Sequence, residues 1–267
     1  MQTIKLGPAG SPGKSTLEGI GMVKSMGLHA VEVEFVRGVK MGNDLAKRCG
    51  QEAEKLGIEL SVHAPYFINL ASSEKVKIKQ SRQRILDSCE RGHYLGARYV
   101  VFHPAYYGKR SKEETFDMVK EAVLDMQTAI ERNGWDVKLA PETTGKHAAF
   151  GDLEETIRLA KETGCSINID FAHIFARNRG TIDYGEIFDK LRPLKLRHVQ
   201  CHFSNIEWTL KGERSHLVLD SSPPFEPLAE EILKRKLNIT IISESPVTWK
   251  DSLKMKKIFE EMGYRFR

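Results

Sequence analysis

The chain has 267 residues, 40% of them hydrophobic and 29% charged, with a formal net charge of +5. That length and apolar content suffice for one large core, and no stretch approaches the roughly 18–20 consecutive apolar residues of a membrane span. A mildly basic balance does not oppose a polyanionic partner, but it identifies none. The four cysteines (Cys49, Cys89, Cys165 and Cys201) are widely spaced with no CxxC pair. This argues for reduced thiols rather than a disulfide frame or a thiolate zinc site. The opening MQTIKLGPAG has neither a basic n-region nor an apolar h-region, so the expectation is a cytoplasmic protein without membrane association.

Along the chain, short β-branched runs alternate with longer amphipathic segments. Strands are expected at TIKLG (3–7), AVEVEFV (30–36), ELSVH (59–63), RYVVFH (98–103), VKLAPE (137–142), SINIDF (166–171), LRHVQCHF (196–203) and ITIISES (239–245). Helical periodicity runs over 73–97, 111–133 and 151–164. In the last of these, Asp152 and Glu155 have the spacing of a capping box and Gly164 stands where a C-cap belongs. Eight strands alternating with about eight helices, without a linker, predict a single-domain (β/α)8 barrel over residues 1–267. A doubly wound sheet is the alternative, and its nucleotide-binding forms are disfavoured because no GxGxxG or P-loop is present.

In such a barrel, chemistry belongs to the C-terminal strand ends. Those ends carry His63, His103, Glu142, Asp170 (with His173 one turn later), His202 and Glu244, at successive intervals of 28 to 42 residues. Taken singly, a strand-end histidine is usually a hydrogen-bonded residue and an aspartate after a strand usually caps a helix. Six consecutive strands delivering such groups to one rim would produce repulsion and desolvation unless cations compensate. Mixed imidazole and carboxylate donors suit zinc, manganese or iron(II), and the donors outnumber what one tetrahedral ion needs. A cluster of two or three metals follows, with Glu142 suited to bridging. Elsewhere, His29 and His93 are expected to be structural or exposed, His198 to pack inside the barrel or support a ligand, and His147 to lie in a loop.

These residues resemble the endonuclease IV family of apurinic/apyrimidinic endonucleases. The resemblance rests on HAPYFINLAS (63–72), His103, PETTGK around Glu142, the D-x-x-H of Asp170 and His173, CHFSN around His202, and SESP around Glu244. It implies a TIM barrel with three zinc ions, manganese being an alternative. His63, His103 and Glu142 would hold the first ion, Glu142, Asp170, His202 and Glu244 the second, and His173 the third. The family completes its third site with a D-x-H pair, whereas here the matching stretch, KGERSHLVLD (211–220), offers Glu213 and His216 as E-x-x-H. The implied reaction is cleavage of double-stranded DNA 5′ to an abasic site, leaving a 3′-hydroxyl and a 5′-deoxyribose phosphate, by a monomer with Glu142 and Glu244 catalytic. Arg37 and Tyr66 are the expected DNA contacts, with Lys40, Lys109, Arg110, Lys146, Arg177 and Arg179 on the same loops. A xylose-isomerase-like sugar isomerase or epimerase using one or two divalent metals is the competing reading, and a non-catalytic binding module is a third.

Overall fold

The structure, a computed structural model, describes residues 2–266. All eight expected strands form: Ile4–Pro8, Ala30–Glu34, Glu59–His63, Tyr99–Phe102, Lys138–Pro141, Asn168–Asp170, Val199–Phe203 and Ile239–Ser243. The first pairs with the eighth, the eighth with the seventh and the seventh with the sixth, all parallel. The second to fifth pair in order, also parallel. Bridges Ala9–Glu32 and Glu142–Asn168 join the two half-sheets, which closes the barrel. Parallel strands covered by helices are buried on both faces and so read as near-continuous apolar runs. The exceptions are polar side chains at the C-terminal ends, where the site lies.

The helices follow their sequence signals. Leu153–Thr163 begins with a reciprocal capping box between Asp152 and Glu155 and ends at Gly164 in the left-handed conformation, φ 73°. Ser111 and Glu114 form a second capping box at Lys112–Arg132. Two antiparallel additions decorate the C-terminal rim. Ala105–Tyr106 pairs with Ala149–Phe150, and Asn205–Thr209 forms a hairpin with Gly212–Leu217. The second addition was expected as a loop after strand seven. It forms an antiparallel hairpin, irregular at Glu207/Trp208. The four cysteines are free and buried. Among the described residues, no helix is long and apolar enough to cross a membrane.

Candidate metal centre

Glu142 ends the fifth strand, fully buried, and its carboxylate faces four imidazoles. Oε1 lies 3.3 Å from His103 Nε2 and 3.0 Å from His173 Nδ1. Oε2 lies 3.3 Å from His63 Nε2 and 3.4 Å from His202 Nδ1. Such geometry follows from the barrel: adjacent parallel strands in register bring residues one βα unit apart to the same level of the rim. Of the group, His103 is the most open, with 31% of its side chain accessible.

Asp170 ends the sixth strand and also caps the short helix Phe171–Arg177. Its Oδ1 accepts from the His173 backbone N–H at 2.7 Å. Its Oδ2 is buried with no hydrogen-bond partner. Thus one oxygen satisfies the helix end and the other is left for a ligand, so the capping role and the site role coexist. His173 Nδ1 approaches the Thr143 carbonyl at 3.0 Å. With Nδ1 as the donor, Nε2 is left as the free electron pair, and it faces Glu213 Oε2 at 3.2 Å.

The E-x-x-H spacing is resolved by the hairpin register. Ile206 pairs with His216 and Glu207 with Ser215, but Trp208 pairs with Glu213, leaving Arg214 as an extra residue. On a regular strand, residues three apart face opposite sides. The β-bulge at Arg214 absorbs one residue and returns Glu213 and His216 to the site face. Arg214 and Ser215 point outward and bind Glu207 at 2.7 and 3.2 Å. Gly145 lets the two loops meet: a Cβ there would lie 2.4 Å from Glu213 Oε2 and 3.1 Å from His173 Cδ2.

Three sets of donor atoms each lie within 4.8 Å of one another: His63–His103–Glu142, Glu142–Asp170–His202–Glu244 and His173–His216–Glu244. Every strand-end residue named from the sequence is therefore in a set. Glu213 approaches the third set from the His173 side, held by the Gly145 N–H at 3.0 Å and by Lys146 Nζ at 3.3 Å. A further group, Glu32–Glu34–Glu244, was missed. Its signal was present in AVEVE, where two acids two apart on an otherwise apolar strand must share its inward face.

The electrostatics of these residues suit a bound cation. Glu32 Oε1, Glu34 Oε1, Glu142 Oε1, Asp170 Oδ2 and both ring nitrogens of His202 are buried without an aligned hydrogen-bond partner. Orphaned donors and acceptors of this number are rare in a folded interior. Burial pushes the Glu34 carboxyl up to about 8, with Glu32 and Glu244 adding repulsion, and does the same to Asp170, with Glu244 and Glu142 adding repulsion. Burial also opposes ionisation of Glu142, yet the charges of His103 and His202 and hydrogen bonds from His103 and His173 hold it well below the carboxylate range. For His63, burial would lower the value, but Glu142, Glu34 and Glu32 carry it up to about 10. Protons on imidazoles thus do in the metal-free chain what divalent ions would do when bound.

Around this centre the rim is partly basic and partly aromatic. Arg37, Lys40, Lys109 and Arg179 are exposed. Three other expected rim cations are committed to the fold. Arg110 binds the Ala71 carbonyl at 2.7 Å, Arg177 binds the carbonyls of Lys146 and Ala149 at 2.7 and 3.0 Å, and Lys146 pairs with Glu213. Tyr66 is 55% exposed with its ring 5.9 Å from that of His63. Phe67, Tyr106, Trp208 and Leu210 are also exposed on the same loops. Phe67 adjoins Tyr66 in sequence, but only the fold brings Tyr106 and Trp208 to the same rim. His147 is exposed. His198 lies within the seventh-strand approach, bonded to Thr240 at 2.9 Å, and His29 stacks on Phe266 with ring centroids 5.0 Å apart.

A closed parallel barrel whose C-terminal mouth gathers overlapping His and carboxylate groups that could hold metal defines a TIM-barrel protein with a candidate metal centre. The chain belongs to the xylose isomerase-like TIM barrel family, which it matches over residues 20–261. It is 34% identical to an uncharacterised protein of Methanocaldococcus jannaschii over 96% of this chain and 97% of that one. It is 26% identical to a probable endonuclease 4 of Mycoplasma mobile over 69% of this chain and 68% of that one. Among solved structures it is similar to endonuclease IV from Thermus thermophilus, with a TM-score of 0.75 at 19% identity over 96% of this chain and 98% of that one. It is equally similar in fold to a D-tagatose 3-epimerase-like protein, with a TM-score of 0.75 at 18% identity over 98% and 96% of the two chains.

Proposed function

We propose that this protein is a divalent-metal-dependent phosphodiesterase that cleaves duplex DNA 5′ to abasic sites, leaving a 3′-hydroxyl and a 5′-deoxyribose phosphate. The observation that carries this reading is the overlap of three donor sets through Glu142 and Glu244. His63, His103 and Glu142 would hold one ion, Glu142, Asp170, His202 and Glu244 a second, and His173 and His216 with Glu244 or Glu213 a third, zinc being the ion best matched by these donors. Divalent ions in these sets supply Lewis-acid polarisation of the phosphodiester and offset charge on the entering and leaving oxygens. The chain's own residues do the rest. Glu142 holds four imidazoles in fixed orientation. Glu244, with Oε1 3.2 Å from His202 Nδ1 and Oε2 3.8 Å from His216 Nε2, is placed to take the proton of an attacking water. Arg37, Lys40, Lys109 and Arg179 contact backbone phosphates. Tyr66, Phe67, Tyr106 and Trp208 offer ring faces to bases left unstacked when the abasic nucleotide turns out of the duplex.

A sugar isomerase or epimerase is the second reading, favoured by the equal fold similarity to the epimerase-like protein. The set Glu142–Asp170–His202–Glu244 would by itself serve a one-metal enzyme. It leaves His63, His103, His173 and His216 without a task, which is why the first reading is preferred. Elemental analysis and an incision assay on a duplex carrying a tetrahydrofuran abasic analogue separate the two. About three zinc equivalents per chain and metal-dependent incision support the phosphodiesterase. A single equivalent with ketose interconversion and no incision overturns it.

A further inference from the structure

Several imidazoles of the centre place one ring nitrogen against another protein oxygen, and these are not treated alike. His63 Nδ1 approaches the Ala64 carbonyl at 2.8 Å and His216 Nδ1 the Ser204 hydroxyl at 2.7 Å, while His173 Nδ1 lies 3.0 Å from both the Thr143 carbonyl and Glu142 Oε1. For His63 and His216 these partners are neutral oxygens. His202 differs. Its Nδ1 faces Glu142 and Glu244, while its Nε2 lies 2.7 Å from Glu32 Oε1, a fully buried carboxylate. The oxygen sits off the ring's N–H axis, and neither atom has an aligned partner elsewhere. Behind it, Ser61 Oγ donates to Glu32 Oε2 at 2.7 Å and Gln200 Nε2 donates to Ser61 Oγ at 3.4 Å. A line of buried polar groups from three strands thus ends on the imidazole.

We propose that Glu32 is the positioning residue of the second metal set, holding His202 with its proton on Nε2 and its Nδ1 lone pair toward the ion. This rests on the metal-centre reading above and adds to it a residue outside the donor set that decides how tightly one ion is held. The physical reason is twofold. A carboxylate behind the imidazole fixes tautomer and ring direction, and its negative charge raises the basicity of the coordinating nitrogen. The neutral oxygens behind His63 and His216 fix direction but add no charge. The Ser61 hydroxyl holds Glu32 Oε2, which leaves Oε1 as the oxygen beside His202 Nε2. Glu32 is buried at the level of Ser61, one inward layer below Glu34.

The test compares wild type with Glu32→Gln, which keeps shape and removes charge, and Glu32→Leu, which removes polarity at similar volume. Ser61→Ala is the milder variant that leaves Glu32 in place. Cobalt(II) is titrated against a chelator, following the visible d–d absorption and bound equivalents, and ¹⁵N spectra of labelled histidine report the His202 tautomer. Wild type is expected to bind several equivalents with His202 protonated at Nε2. In Glu32→Gln and Glu32→Leu, one equivalent is expected to weaken by about 10–100-fold, with its absorption band altered and the remaining equivalents unchanged. Ser61→Ala weakens that same equivalent less. If both Glu32 variants bind every equivalent as wild type does, or His202 carries its proton on Nδ1, the positioning role is wrong while the metal-centre reading stands. If wild type binds no divalent ion, the metal-centre reading falls and this inference with it.

Discussion

Replacing Glu142 by Gln tests the centre at its most connected atom pair. The substitution keeps the shape of the side chain and removes a charge that four imidazoles face between 3.0 and 3.4 Å. At about 3.3 Å and an effective dielectric near 20, one protonated imidazole and the carboxylate attract by about 5 kcal/mol. Desolvation of the buried groups offsets much of this, and losing one partner of a buried pair costs roughly 3–5 kcal/mol net. For the metal-free protein this corresponds to a melting temperature lower by roughly 6–20 °C. For the loaded protein the loss is larger in function than in stability. Two of the three donor sets share this carboxylate, so bound metal should fall by at least one equivalent. Incision of the abasic duplex should drop by at least about 10²–10³-fold, the scale of losing one preorganised electrostatic group. Differential scanning fluorimetry with chelator, elemental analysis and the incision assay read the three effects. A variant with unchanged melting temperature and full metal content would refute the claim that Glu142 links the sets.

Three further outcomes follow from the geometry. In metal-free protein, His63 is raised to about 10 and contributes stability that is complete below its ordinary 6.5 and lost as pH rises through about 10. Asp170 and Glu34, raised to about 8, hold protons the unfolded chain releases near pH 4, so their burial penalty grows up to about pH 8. The melting temperature of chelated protein should therefore fall between pH 6 and 9, and a flat or rising profile contradicts the assignment. Gly145→Ala would drive a methyl to 2.4 Å from Glu213 Oε2; it should displace Glu213 and His173 and lower metal content at the third set alone, whereas unchanged stoichiometry and affinity would show that the loops yield freely. Arg37→Ala should weaken DNA binding uniformly across sequences and reduce the salt-dependence slope by about 1, and a variant whose slope matches wild type excludes Arg37 as a phosphate contact.

The strands were legible because burial on both faces demands β-branched apolar runs, and the barrel followed from their number and spacing. The strand-end donors were legible too, since a barrel has one mouth and a His, Asp or Glu ending six successive strands has one place to go. Asp170 could be read as a cap or as a ligand, but not as both. That required two oxygens to be placed separately, one on the His173 N–H and one unpartnered. Glu32 and Glu34 carried a period-two signal that passes for ordinary strand variation until the register sets them beside His202 and Glu244. The one-residue excess between Glu213 and His216 stood in sequence as a departure from D-x-H spacing, and pairing across the hairpin accommodates it as a bulge at Arg214. The fate of the rim cations was likewise invisible, because Arg110 and Arg177 bind carbonyls supplied by other loops. The sequence by itself determined which side chains reach the mouth, because alternation and strand order are properties of the chain. Which atoms face each other there, and which charges are left free for a substrate, only the tertiary structure decided, because those depend on distances between segments far apart in the chain.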